Sequence, residues 1–269
     1  REDIRKKLSL PCIGVVPRTP AKDAFVEDLK NPASVVSEAY SAIVAALRFS
    51  TEAGMPKMLL VTSTRSGEGK SSSTLALAQN FARRGKRVLL IDADLRRSSL
   101  AAVFGLKRRG GLSELIQGSI EFQNAVHTDV LGHLDVMTTG ALPTDPSALL
   151  TSDAFARVLE KASARYDLVI VDTPPMLLAS ETAELAPWMG TLLMVARAGD
   201  NELGDLSESA NQLRLAGAQF QGVVLNAMDT SRRYYGKLAY RYGGYQPRVH
   251  EYPSAVAELP QPARASAAS

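Results

Sequence analysis

The chain has 269 residues, of which 45% are hydrophobic and 22% are charged, with a formal net charge of +3. This balance is typical of a globular protein and excludes collagen-like, coiled-coil and largely disordered chains. The apolar runs are far shorter than the ~20 residues that a membrane span needs. The single cysteine, Cys12, excludes a disulfide framework and favours a reducing compartment. Because the chain begins at Arg1 without a signal-like segment, we interpret it as a piece of a longer protein.

Short apolar runs alternate with helix-length segments along the chain. The runs are rich in Val, Ile and Leu without polar alternation, which is typical of parallel strands covered on both faces. The predicted strands are Cys12–Val16, Met58–Ser63, Arg87–Asp92, Leu134–Thr138, Leu168–Asp172, Leu192–Ala196 and Val223–Asn226.

Three of the intervening segments have helix boundaries that the sequence indicates. Asn31 is a candidate N-cap for a helix over Pro32–Ala53, and the helices over Lys70–Arg84 and Asn201–Ala216 are each followed by glycine. Strands alternating with such helices predict an α/β fold with a doubly wound, mostly parallel sheet flanked by helices. We assign this domain to residues 1–230, a tyrosine-rich segment to 231–252 and a disordered tail to 253–269.

The sequence TRSGEGKS at residues 64–71 links a predicted strand to a predicted helix. It matches the phosphate-binding pattern G-x-x-x-x-G-K-[ST], with Thr64 in place of the first glycine, so a P-loop NTPase is predicted. Gly67 and Gly69 allow backbone N–H groups to surround phosphate at a helix N-terminus. Lys70 can reach the β and γ phosphates, and Ser71 offers a hydroxyl to Mg²⁺. The predicted nucleotide-binding residues are Ser66, Gly67, Glu68, Gly69, Lys70, Ser71 and Ser72.

A dinucleotide-binding fold is the rival interpretation of the same glycines. Gly67 and Gly69 followed by Asp92 at a strand end superficially match it. However, its third glycine would fall at Ser72, and a lysine in the pyrophosphate turn does not belong to that pattern. We therefore favour the P-loop interpretation.

Two further predicted strands end in carboxylates. The sequence LLIDADLR at 89–96 carries Asp92 and Asp94, and VIVDTPP at 169–175 carries Asp172. Doubly wound sheets bind ligands at the carboxyl ends of their strands, and buried carboxylates there are costly unless paired or metal-bound. We predict that Asp172 is a water-mediated Mg²⁺ ligand. Asp92 and Asp94 are predicted to be the groups of the site that face the metal and the attacking nucleophile.

These three stretches together closely resemble the bacterial tyrosine autokinases, the cytosolic kinase domains of polysaccharide co-polymerases. The motif Asp92-x-Asp94-x-Arg96 is the specific part. The resemblance implies an ATP- and Mg²⁺-dependent tyrosine kinase that regulates exopolysaccharide and capsule synthesis and export. It also implies that Lys70 and Ser71 bind phosphates and Mg²⁺, that Asp94 and Asp172 support the metal, and that Asp92 is the candidate base.

Six of the eight tyrosines lie near the C-terminus and are interleaved with basic residues and glycines. Such a segment could also be a nucleic-acid surface, but beside a kinase-like site we expect phosphate acceptors and no nucleic acid. Tyr40 and Tyr166 are predicted to be buried. The predicted acceptors are Tyr234, Tyr235, Tyr240, Tyr242, Tyr245 and Tyr252.

The resemblance also implies partners and a location. These are further copies of the chain that are phosphorylated in trans, a membrane-spanning activator segment fused upstream of Arg1, and a cognate tyrosine phosphatase. The implied location is the cytoplasmic face of the bacterial inner membrane, with this fragment itself soluble.

Two departures from the family pattern keep alternatives open. Arg65 stands where partitioning-type ATPases carry a second lysine, which disfavours a ParA- or MinD-like ATPase without tyrosine phosphorylation but leaves it open as one alternative. The family motif Glu-x-x-Arg-x-x-Arg falls at Glu38, Ser41 and Val44, so both arginines are absent. In the family that motif helps to build a ring of subunits, so we expect a weakened ring here. The missing arginines also leave an inactive nucleotide-binding scaffold open as the other alternative.

Overall fold

An eight-stranded sheet organises the part of the chain that the computed structural model describes, namely residues 4, 9–19, 22–49, 54–98, 100–106, 109–199 and 203–229. The strands are β1 (Cys12–Pro17), β2 (Met58–Ser63), β3 (Val88–Asp92), β4 (Val126–His127), β5 (Leu134–Met137), β6 (Leu168–Asp172), β7 (Leu192–Arg197) and β8 (Phe220–Met228). Their order is β1-β8-β7-β2-β6-β3-β5-β4, and every neighbouring pair except β4 with β5 is parallel. The mostly parallel α/β sheet is therefore confirmed.

Helices connect these strands and cover both faces of the sheet. The helices are α1 (Lys22–Lys30), α2 (Val35–Arg48), α3 (Lys70–Ala82), α4 (Leu100–Val103), α5 (Leu112–Ile116), α6 (Phe122–Ala125), α7 (Pro146–Leu150), α8 (Asp153–Arg165), α9 (Glu181–Met189) and α10 (Leu203–Leu215). None of the helices in the described ranges is long and apolar enough to cross a bilayer.

The two helical layers pack against the sheet and form two apolar clusters. The cluster under α1, α2 and α3 includes Tyr40 and Phe81, and the cluster on the opposite face includes Phe155 of α8. Adjacent strand residues alternate between the clusters, so that Leu59 belongs to the first and Leu60 to the second. Because both faces are covered, both sets of side chains must be apolar, which explains the uninterrupted runs in the sequence.

The predicted start of the helix at Pro32 is wrong. The helix begins at Val35, and its N-cap is Ser34, whose hydroxyl accepts a hydrogen bond from the Ser37 N–H at 3.1 Å. Asn31 instead accepts from the Ala33 N–H at 3.0 Å, which closes a turn before the helix. The side chain of Asn31 therefore stabilises a local turn, an alternative that asparagine commonly offers the backbone. At its other end the helix stops at Arg48, before the predicted boundary.

The remaining boundaries differ from the predictions by a few residues, and some elements were missed. The longest strand in the described ranges is β8, which begins at Phe220 and ends at Met228. The sequence does not predict helix α1, helices α4 to α9 or the two-residue strand β4. The predicted tyrosine-rich segment and C-terminal tail lie outside the described residues.

Candidate functional site

The phosphate loop connects β2 to α3 at the carboxyl edge of the sheet. Gly67 and Gly69 have φ angles of +87° and +88°, in the left-handed region that glycine tolerates best. The carboxylate of Glu68 turns inward and accepts hydrogen bonds from the N–H groups of Thr64 at 2.7 Å and Arg65 at 3.0 Å. The side chain of Glu68 thus holds the shape of the loop, while the glycines supply its curvature.

Two side chains from neighbouring strands also hold the loop. Asn226 of β8 donates to the Glu68 carbonyl oxygen at 2.9 Å, and Arg197 of β7 donates to the Gly67 carbonyl oxygen at 3.2 Å. Gly69 lies so close to Asn226 that a Cβ at this position would overlap the side-chain amide. Asn226 and Arg197 are site residues that sequence reasoning missed.

Lys70 brings the predicted aspartates together. Its ammonium donates to Asp172 Oδ1 at 2.8 Å and lies 3.7 Å from Asp94 Oδ2 and 3.4 Å from the Ser71 hydroxyl. The hydroxyl of Thr74, one helical turn further along α3, also donates to Asp172 Oδ1, at 3.1 Å. The residues that the motifs singled out therefore meet around one buried lysine.

Asp92 is fully buried at the end of β3. Its Oδ2 accepts from the Ser98 hydroxyl at 3.2 Å and the Leu100 N–H at 3.3 Å, and its Oδ1 accepts from the Asp94 N–H at 3.3 Å. Burial, reinforced by the charge of Asp172, raises the pKa of the Asp92 carboxyl from 3.8 to about 7. Such a carboxyl is a better proton acceptor near neutral pH than an ordinary aspartate.

Asp94 lies closer to the surface than Asp92. Its Oδ1 accepts from the Arg97 N–H at 3.0 Å, and its Oδ2 faces Lys70. Burial raises the pKa of the Asp94 carboxyl, although the charge of Lys70 and the Arg97 hydrogen bond oppose that shift.

The oxygen atoms around Lys70 suit a magnesium ion bound together with nucleotide phosphates. Asp172 Oδ2 is buried and has no hydrogen-bond partner among the described residues. Hydroxyl and carboxylate oxygens are ligands that Mg²⁺ prefers, and it commonly takes only one or two protein carboxylates beside substrate phosphates. Ser71, Asp94 and Asp172 are the residues that would hold the ion.

Both tyrosines within the described ranges have hydroxyl groups that are hydrogen-bonded to other side chains of the fold. Tyr40 is fully buried, and its hydroxyl lies 2.9 Å from the Ser73 hydroxyl. Tyr166 is half-buried and donates to Asp135 Oδ2 at 2.7 Å. Burial raises the pKa of both phenols. The six candidate acceptor tyrosines lie outside the described residues, in the sequence that follows β8.

Comparison with known proteins places the chain in a family. The family model for the CobQ/CobB/MinD/ParA nucleotide binding domain matches residues 59–238. The tyrosine-protein kinase etk of Escherichia coli strain K12 is 38% identical over 198 residues, which are 74% of this chain and 27% of that protein. The tyrosine-protein kinase ptk of Acinetobacter johnsonii is 32% identical over 240 residues, or 85% of this chain and 33% of that protein.

The solved kinase domain of the Escherichia coli tyrosine kinase ETK matches with a TM-score of 0.78 and 32% identity, and the match covers 86% of this chain and 95% of that domain. The chain belongs to the CobQ/CobB/MinD/ParA nucleotide-binding family and, within it, to the kinase domains of the bacterial tyrosine kinases. It spans about a third or less of the length of the two curated relatives above.

Proposed function

We propose that this chain transfers the γ-phosphoryl group of ATP to tyrosines of a neighbouring copy. The observation that carries the proposal is the buried cluster of Lys70 with Asp94 and Asp172 beside the phosphate loop. Strand β8 ends at the same edge of the sheet and leads into the tyrosine-rich segment. The proposed acceptors are Tyr234, Tyr235, Tyr240, Tyr242, Tyr245 and Tyr252.

In this reaction the phosphate loop binds the nucleotide, with Ser66–Ser72 around its phosphates. Ser71, Asp94 and Asp172 would hold magnesium, which would supply positive charge to offset the charge of the phosphates. The tyrosine oxygen forms a bond to the γ-phosphorus while the bond from that phosphorus to the ADP oxygen breaks. The phenolic proton passes to the Asp92 carboxylate. Because an aspartate remains a much weaker base than a phenolate, positioning and charge supply most of the rate.

The partners that we propose are those that the resemblance to the bacterial tyrosine autokinases implies. They are further copies of the chain, a membrane-spanning co-polymerase segment upstream of Arg1 that activates it, and a cognate tyrosine phosphatase. The proposed context is the regulation of exopolysaccharide or capsule synthesis and export at the cytoplasmic face of the inner membrane.

A partitioning-type ATPase is the second candidate function. The matching family model, which includes MinD and ParA, favours it, whereas Arg65 in place of their second lysine counts against it. Its guanidinium contacts the Asp205 carboxylate of α10 within the same chain. Under this alternative ATP is hydrolysed and no phosphotyrosine forms. An inactive scaffold, the third possibility, would bind nucleotide and do neither.

A mixing experiment tests the proposal. Unlabelled wild-type protein is incubated with MgATP and an equal amount of ¹⁵N-labelled Lys70→Met protein, and the phosphotyrosines are mapped by mass spectrometry. We expect phosphate on residues 234–252 of the ¹⁵N-labelled chain, since only a neighbouring active copy can have placed it there. Phosphotyrosine confined to the unlabelled chain would contradict transfer between copies. The labelled variant alone with MgATP is the control and should carry none.

A further inference from the structure

Arg96 is the last residue of the Asp92-x-Asp94-x-Arg96 motif, and it has no role in the proposed reaction as described above. Its Nε donates to Glu181 Oε1 at 2.9 Å and its terminal nitrogen donates to Glu181 Oε2 at 3.3 Å. The Glu181 side chain is fully buried, while the Arg96 side chain is 45% exposed. The two bonds form a fork-to-fork contact, which fixes orientation as well as distance.

Glu181 stands on the Asp172 side of the site, at the first residue of α9. The segment between them is fixed by hydrogen bonds. The Pro174 carbonyl oxygen accepts from the Thr62 hydroxyl at 3.0 Å and the Thr182 hydroxyl at 3.1 Å. Glu181 is therefore held in a fixed position relative to Asp172.

Arg96 stands on the Asp94 side, in the turn that follows β3. Strands β3 and β6 are neighbours, and Asp92 pairs with Asp172 in the sheet. Beyond the sheet, the contact between Arg96 and Glu181 joins the Asp94 turn to the structure that carries Asp172. This contact thus links the two segments that carry the proposed metal-supporting carboxylates.

We infer that Arg96 and Glu181 are a positioning pair that holds Asp94 at the separation from Asp172 that a magnesium–nucleotide complex needs. The inference rests on the proposed function. A buried carboxylate is expensive to desolvate, and an apolar pair of similar size often stabilises a fold equally well or better. A pair retained for geometry is therefore the stronger interpretation. Lysine cannot replace arginine in this arrangement because a single ammonium lacks the planar fork.

The test measures the affinity for a fluorescent ADP with excess Mg²⁺ and with EDTA, for wild type, Arg96→Lys and Glu181→Gln. The ratio of the two affinities reports how strongly the metal supports nucleotide binding. We expect the ADP affinity in EDTA to be unchanged, because neither residue contacts the phosphate loop. The ratio of the affinity with Mg²⁺ to that with EDTA should fall about tenfold, as for residues that orient metal ligands. Arg97→Lys is the matched control, since Arg97 bonds to Asp94 through its own backbone N–H and not through its side chain.

Thermal unfolding of each variant identifies a purely structural pair. A lowered melting temperature with an unchanged Mg²⁺ ratio in both variants would overturn the inference, and so would an equal fall of the ratio in Arg97→Lys. If one variant does not fold, the other still decides the outcome. The readout does not depend on phosphotyrosine. A wild-type protein that shows the Mg²⁺ ratio but makes no phosphotyrosine would therefore refute the proposed kinase function alone.

Discussion

Lys70 and Asp172 form a buried ion pair that joins the first residue of α3 to the last residue of β6, with 2.8 Å between Nζ and Oδ1. In the proposed reaction Lys70 faces phosphate oxygens and Asp172 faces magnesium. Under this proposal, nucleotide binding exchanges the pair for two new contacts of the same charge type. Each buried charge then keeps a partner of opposite charge, because an unpaired charge in a protein interior is energetically costly.

The first prediction concerns Lys70→Met. The variant should make no phosphotyrosine, because its side chain cannot neutralise phosphate charge. It should fold but unfold at a lower temperature, because removing one partner of a buried pair costs about 3–5 kcal/mol. Adding Asp172→Asn should restore much of that loss in thermal unfolding while activity stays absent. Phosphotyrosine at the wild-type level in Lys70→Met would refute the assignment of the loop.

The second prediction concerns pH and Asp92. Its pKa in the folded chain is raised to about 7 from a reference value of 3.8. Between these values the folded state holds a proton that the unfolded state has released, so this contribution to stability is present below pH ~4 and is lost as pH rises through about 7. The slope is at most about 1.4 kcal/mol per pH unit.

Asp92→Asn should remove this slope. Its melting temperature, measured from pH 5 to pH 8, should rise relative to wild type as pH increases. Parallel curves for the two proteins would show that Asp92 does not titrate in this range.

The third prediction compares two glycines of the phosphate loop. Gly67→Ala and Gly69→Ala introduce the same strain, since both residues have φ near +88°. Only the Cβ at position 69 would overlap Asn226, while nothing lies within 4 Å of one at position 67. We expect Gly69→Ala to lose clearly more ADP affinity, and a partial recovery in Gly69→Ala/Asn226→Ser. Equal losses in the two single variants would contradict the observed contact.

The fourth prediction concerns assembly. Val44 is fully buried, and the Ser41 hydroxyl donates to Asn80 Oδ1 at 3.0 Å and accepts from Arg84 at 3.3 Å. Neither position offers a cation to a neighbouring copy. We expect sedimentation velocity to show a weaker ring than in relatives with both arginines, down to monomer at micromolar concentration. A ring that survives dilution would mean that other residues, such as the exposed Arg48, supply the contact.

The sequence predicted the features that depend on neighbours along the chain. The strands followed from apolar runs, and the phosphate loop from a compact motif whose glycines have the expected positive φ. The aspartates share one edge of the sheet because the carboxyl ends of parallel strands lie there, and the pairing of β3 with β6 places Asp92 beside Asp172.

Features that depend on distant residues could not be predicted in this way. Asn226 and Arg197 hold the phosphate loop across 158 and 130 residues of sequence. Glu181 contacts Arg96, which lies 85 residues away in the sequence. A single polar residue at a strand end or helix start resembles an ordinary cap, and only the folded sheet reveals its partner. The cap at Ser34 was missed because the preceding Asn31 offered an equally plausible side chain.

Formation of phosphotyrosine by this chain separates the proposed kinase from an ATPase of the same fold. Purified protein is incubated with MgATP, with and without the proposed membrane-side activator segment, and phosphotyrosine and free phosphate are quantified in the same sample. We expect phosphotyrosine on residues 234–252 of the wild-type protein and none in Lys70→Met. Release of phosphate without any phosphotyrosine, under both conditions, would contradict it and favour the partitioning-type ATPase.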